Sequence, residues 1–217
     1  MKKYFLFAAM AITAITTSVS LNSCRKGEED PAISLRSRKA RLVGDWKLTA
    51  GTTEQAQNGS VSIITYDGTN EITASNSQSD TTGYTNTYTF NGDGTYQSVT
   101  VTTSIFSFWG ITSTTTTTTT EDGTWDFNSG IGDEKAKTKV LIHPTKSVEV
   151  AETSSSTSGT TTTTNTNVYT SNTFDYSLYM TRLSNKELKF TINYNETVTG
   201  GSTSSSTATS TRTYTAQ

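Results

Sequence analysis

Cysteine is almost missing from this chain. Cys24 is the only one, so no disulfide can form within it. Histidine is as scarce: with His143 alone, no histidine-based metal cluster can be assembled, and its position before Pro144 reads as a turn. Charge is low at 17% and nearly balanced at −2, which removes the electrostatic case for nucleic acid. Hydrophobic residues make up only 31%. Low hydrophobicity marks disorder when charge is high, but here charge is low too. No nucleophile–base pair and no phosphate-cradling glycine loop is visible. The carboxylate pairs Glu121-Asp122 and Asp133-Glu134 fall on predicted loops without the ordered oxygen spacing of a calcium site. An enzyme, a cofactor and a metal are therefore not expected.

Threonine and serine fill the gap. Threonine is β-branched, so its stiff side chain suits a strand, and its hydroxyl tolerates water. With only two prolines to interrupt strands, the composition fits a sheet with one wet face better than a helix bundle. The clearest pattern is at Phe174 to Tyr194. Phe174, Tyr176, Leu178 and Met180 alternate with polar residues on the way in; Leu188, Phe190, Ile192 and Tyr194 do so on the way out. Period two is the spacing of one strand face, and Ser184-Asn185-Lys186-Glu187 between the halves is turn-forming.

The start of the chain reads as an address. Lys2 and Lys3 precede an apolar run from Tyr4 to Ile12, the form of a secretory signal peptide over residues 1–23. Leu21-Asn22-Ser23-Cys24 resembles the bacterial lipobox, which implies that Cys24 is the lipid attachment site; the alternative is an ordinary leader followed by a free thiol. The charged stretch after Cys24 is similar to export signals of surface lipoproteins of the Bacteroidota. Residues 24–40 then form a lipidated, flexible linker, and the basic run of Arg36, Arg38, Lys39 and Arg41 within Ile33 to Leu42, on a short helical turn, is read as a solvated face in preference to a binding patch. The resemblance implies membrane association through palmitate at the outer membrane, on the cell surface or on the periplasmic face.

Further strands are expected along residues 41–217. Tyr84 to Thr103 is a hairpin about the turn Asn91-Gly92-Asp93-Gly94. Val61 to Tyr66 is a short strand in an otherwise polar loop region. Ile105, Phe106, Phe108 and Trp109 form the densest apolar cluster after the leader; core is preferred to a loop over a barrel mouth. The threonine run Thr114 to Thr120 is read as a strand in preference to a mucin-like glycosylated stretch, Glu121-Asp122-Gly123 as a turn, and Val140-Leu141-Ile142 as a buried strand. Ala208 to Tyr214 closes the wall.

Gly44-Asp45-Trp46 is similar to the Gly-x-Trp motif of lipocalins. Tyr88 to Tyr96, Gly123 to Phe127 and Leu183 to Leu188 look, in this order, like segments of lipocalin-like domains of Bacteroidota lipoproteins. The resemblance implies an all-β, antiparallel up-and-down barrel of about eight to ten strands, closed by Trp46 with Arg212 packed upon it. Phe90, Trp125, Tyr176 and Phe190 are inward aromatics that could line a site for a small apolar ligand; their other reading is plain core. Two functions follow: a lipid-anchored carrier of a small hydrophobic molecule, or a surface accessory protein with a filled barrel whose loops contact a protein or a glycan.

Overall fold

A computed structural model describes residues 29–31, 36–57, 60–75, 78–128, 138–169, 175–198 and 204–217. The leader, Cys24, Phe174 and the pair Asp133-Glu134 lie outside them. Among the described residues one helical turn, α1 (Arg38–Leu42), precedes eleven strands: β1 (Gly44–Gln57), β2 (Ser60–Tyr66), β3 (Asn70–Ser75), β4 (Gln78–Phe90), β5 (Thr95–Phe108), β6 (Ile111–Phe127), β7 (Lys139–Ser155), β8 (Gly159–Val168), β9 (Tyr176–Leu183), β10 (Glu187–Val198) and β11 (Ser204–Ala216). All pairings are antiparallel.

The pairings close a ring of eight strands in the order β1-β11-β10-β9-β7-β6-β5-β4, with β4 returning to β1. Ring closure pairs the backbone groups that an open sheet would leave at its edges. Three strands exceed this ring and explain why eleven appear where eight to ten are expected. The β2–β3 hairpin is wedged between the upper halves of β1 and β4, whose lower ends pair with each other. The sequence there is polar, so β3 reads as loop until β2 and β4 supply its partners. β8 takes the place of β9 along the upper half of β7.

The lower half of the barrel is filled. Leu42, Trp46, Leu48, Phe90, Trp125, Phe127, Val140, Ile142, Leu178, Met180, Leu183, Leu188 and Phe190 are buried there in one cluster. Burying each large side chain stabilises by about 1.5–3 kcal/mol. The β9–β10 hairpin contributes the face that its alternation predicts, with one addition. A bulge shifts register between Leu183↔Leu188 and Met180↔Phe190, which turns Leu183 inward as well. The carbonyl of the extra residue, Thr181, accepts a hydrogen bond from the backbone of Glu29 at 3.0 Å.

That contact docks the N-terminal segment under the base. The Ser37 hydroxyl caps α1 by accepting from the Ala40 backbone at 3.1 Å, and the Trp46 indole N–H donates to the Leu42 carbonyl at 2.8 Å. Trp46 is thus held inside the base, where it is buried. The basic run does not behave as expected: Arg36 and Lys39 face water, but Arg38 and Arg41 are buried. The reason is Asp30. Its carboxylate takes Arg38 at 2.9 Å and Arg41 at 3.5 Å and accepts the Leu183 backbone N–H at 2.8 Å, while Arg41 also donates to the Leu183 carbonyl. A charge can leave water only when it is paired and hydrogen-bonded.

Two expected turns are strand instead. Glu121-Asp122-Gly123 runs straight through β6, and His143-Pro144 lies within β7. The register jumps between Asp122↔Lys146 and Gly123↔Pro144, so Thr145 is bulged out. Proline, with no N–H to give, is tolerated at such a bulge. Gly123 is required by the close approach: a Cβ there would lie 2.2 Å from the His143 carbonyl oxygen and 2.7 Å from the Tyr96 ring. The threonine run is strand, as expected, with its register supplied by β5 on one side and β7 on the other.

Gly123→Ala should lower stability by about 1–3 kcal/mol through overpacking, seen as a lower urea midpoint with unchanged slope. Asp30→Asn should cost more, about 3–5 kcal/mol, because it strands two buried guanidinium groups; an unchanged midpoint would mean that the base is not held this way.

Candidate functional site

Halfway up the barrel the interior changes from apolar to polar. The inward alternation of β4, β5 and β11 that buries Phe90, Tyr96 and Tyr214 continues upward into Asn86, Ser98 and Ser210. Arg212 is the hub on one wall. Its Nη1 donates to the Tyr84 hydroxyl at 2.8 Å, its Nη2 to the Tyr66 hydroxyl at 3.1 Å and its Nε to the Ser210 hydroxyl at 3.2 Å. Its guanidinium lies 4.3 Å from the centre of the Tyr66 ring. Arg212 and Trp46 are therefore not stacked on each other. Arg212 pairs across the sheet with Gly51, whereas Trp46 pairs with Ala216, four residues further along β11.

Glu121 is the hub on the opposite wall, since β6 lies four strands from β11 around the eight-strand ring. Its Oε1 accepts from the Tyr96 hydroxyl at 2.7 Å and from Tyr176 at 3.0 Å, and the Tyr176 and Tyr88 hydroxyls are 3.3 Å apart. The Tyr214 hydroxyl donates to the Asn86 side chain at 2.6 Å. Burial disfavours the phenolate and pushes the hydroxyls of Tyr66, Tyr88, Tyr176 and Tyr214 up. Burial, together with the bond to the Glu121 carboxylate, does the same to Tyr96. The signal for this network was the shared parity of Tyr84, Asn86 and Tyr88 on one strand; reading Glu121 as a turn residue hid its acceptor.

Of the four aromatics proposed for a ligand, three are in the packed base. Phe90 meets Trp125 edge-on at 5.6 Å, Trp125 meets Phe127 at 5.7 Å, and Phe190 stacks on Tyr214 at 5.1 Å. Tyr176 is half-buried, packs against the same cluster and joins the hydroxyl network. A groove of about 460 Å3 lies beside Gly123 and Tyr96, with the outward-facing Thr89, Gln97, Asp122 and Thr124 among its lining. Its lining is already self-satisfied in part, Gln97 donating to Asp122 at 2.9 Å. His143 Nδ1 lies 2.6 Å from an Asp175 carboxylate oxygen, an orienting contact with no nucleophile joined to it by any bond described. Among the described residues no group of three or more metal-binding side chains forms.

The upper rim holds the apolar cluster, and here the core expectation fails. Ile105, Phe106, Phe108 and Trp109 are 70%, 66%, 60% and 87% exposed. β4 pairs with β5 only as far as Gly83↔Thr103, while the β5–β6 hairpin continues to Phe108↔Ile111. Beyond Thr103 β5 has lost β4 and both its faces are wet, while β6 stays paired with β7 as far as Ser113↔Ser155. Trp109 and Gly110 form its two-residue turn with φ of 51° and 78°, the signs of a type I′ turn. A bulky residue rarely occupies that left-handed region. The Phe106 and Phe108 rings stack at 6.3 Å, and Trp109 meets Phe108 at 6.0 Å.

Compared with known proteins, the chain matches no family model, no curated protein and no solved structure.

The raised tyrosines set an alkaline limit. Below about pH 10, the ordinary value, folded and unfolded tyrosines are equally protonated and the network contributes fully. Above it the unfolded chain loses protons that the folded chain keeps, so stability must fall as pH rises. The tyrosinate absorbance of Tyr66, Tyr88, Tyr96, Tyr176 and Tyr214 should therefore appear only together with loss of the strand circular dichroism. Free titration of all ten tyrosines near pH 10 in the folded protein would contradict the network.

Proposed function

We propose that this chain is a lipid-anchored, lipocalin-like surface protein that acts through its upper rim as an interaction module rather than as a carrier of an apolar ligand. The observation that carries this reading is the blade of Ile105, Phe106, Phe108 and Trp109, exposed at the end of the barrel away from the docked N-terminal segment. Exposed apolar surface of this kind marks contact sites, and each large side chain that a partner covers adds about 1.5–3 kcal/mol. The carrier reading needs Phe90, Trp125 and Phe190 to line an opening, and their rings are occupied with one another and with Tyr214.

Lipidation of Cys24 fits the same picture. It would tether the chain five residues before Glu29, whose backbone is bound at the base, and so leave the rim facing outward.

A photo-crosslinking residue in place of Ser107 should give adducts in cells, and one in place of Gly92 at the basal turn should not. Labelled palmitate should mark the wild-type chain and not Cys24→Ser. A fluorescent fatty acid should show no change on adding the protein. Absence of rim adducts, or saturable fatty-acid binding, would sink the proposal.

A further inference from the structure

The geometry points to a second copy of this chain as the occupant of the rim, joined edge to edge through Ser104–Phe108 of β5. This rests on the interaction reading above and names its partner.

Beyond Thr103, β5 has β6 on one side and, among the described residues, no strand on the other. Its backbone there presents a row of unpaired donors and acceptors. Proteins usually protect such an edge with a charge, a proline, a bulge or a cover. This edge has none: no charged residue and no proline occurs between Asp93 and Glu121, and the β5–β6 register runs without a shift from Thr95↔Thr124 to Phe108↔Ile111. The same residues carry exposed apolar side chains on both faces, with Ile105 on one and Phe106 and Phe108 on the other. An edge with free backbone groups and apolar faces is a strand-addition site.

The self-pair follows from symmetry and charge. Two identical antiparallel edges are complementary about a twofold axis, because residue i meets j as j meets i. Centred on Phe106, the axis sets Phe106 against its own counterpart, Ile105 against Ser107 and Ser104 against Phe108. Like charges facing each other across such an axis would oppose it, and this stretch has no charge to repel. Flat insertion into the membrane that holds the chain fits less well. β5 spans 14 residues, about 43 Å at strand rise, and the tether would enter at the opposite end. Antiparallel pairing points the two bases away from each other, so the copies stand tip to tip.

The test uses the full purified chain. Light scattering should give a concentration-dependent dimer, and small-angle scattering an elongated one. Phe106→Lys with Phe108→Lys should be monomeric with unchanged circular dichroism, since both side chains are exposed. Under mild oxidation Phe106→Cys should form a disulfide-linked dimer faster than Thr209→Cys, which is exposed elsewhere on the wall. A wild-type chain that stays monomeric to about 100 µM, or a dimer indifferent to the lysines, would overturn self-pairing. Cellular adducts from position 107 keep the two ideas separable. Adducts of some other mass remove the second copy but leave the interaction reading, binding to plain lipid vesicles removes the second copy in favour of a membrane, and no adducts remove both.

Discussion

The structure depends on the backbone pairing of its first and last strands. β1 and β11 run together from Trp46↔Ala216 to Gln57↔Ser206, and this ladder turns a long meander into a ring. Without it, β1 and β11 would each expose an edge, and the apolar base would have a missing wall. The side chains reinforce the seam. Leu48 and Tyr214 face each other inside it, and the Thr53 hydroxyl donates to Ser210 at 2.8 Å higher up. A chain with 31% hydrophobic residues cannot fill a tall barrel with hydrocarbon. It concentrates what it has at the base and satisfies the upper interior with hydroxyls around Arg212 and Glu121.

This division of the interior explains how a threonine-rich sequence folds at all. A buried polar group is tolerated when its hydrogen bonds are made: Tyr66 and Tyr84 accept from Arg212, and Tyr96 and Tyr176 donate to Glu121. The arrangement also accounts for the opposed hubs. One guanidinium and one carboxylate on facing walls are each clothed by tyrosine hydroxyls, so neither needs the other as a direct ion-pair partner.

Much of the fold was legible because period two survives dilution by threonine. The β9–β10 hairpin and the Asn91-Gly92-Asp93-Gly94 turn are where the alternation and turn chemistry place them, and the Thr114–Thr120 run is strand as read. What was not legible depends on contacts distant in sequence. Arg38 and Arg41 look solvated until Asp30 and Leu183 are beside them. Glu121 looks like a turn residue until Tyr96 and Tyr176 are folded against it. Ile105 to Trp109 looks like core because hydrophobicity cannot reveal that β4 parts from β5 at Gly83. The rim was the least legible part of the candidate site for that reason, although its residues were conspicuous.

Sealing a ring with its two terminal strands also has a kinetic side. The partners Trp46 and Ala216 are separated by nearly the whole folded region, so their contact closes the longest loop available. Such non-local pairing is slow to form. Local hairpins such as β5–β6 can zip early, but the ring waits for β11 to emerge. Until then a nascent chain carries uncharged, threonine-rich ribbons with open sides, and its escape from tangling depends on how quickly the final ribbon arrives.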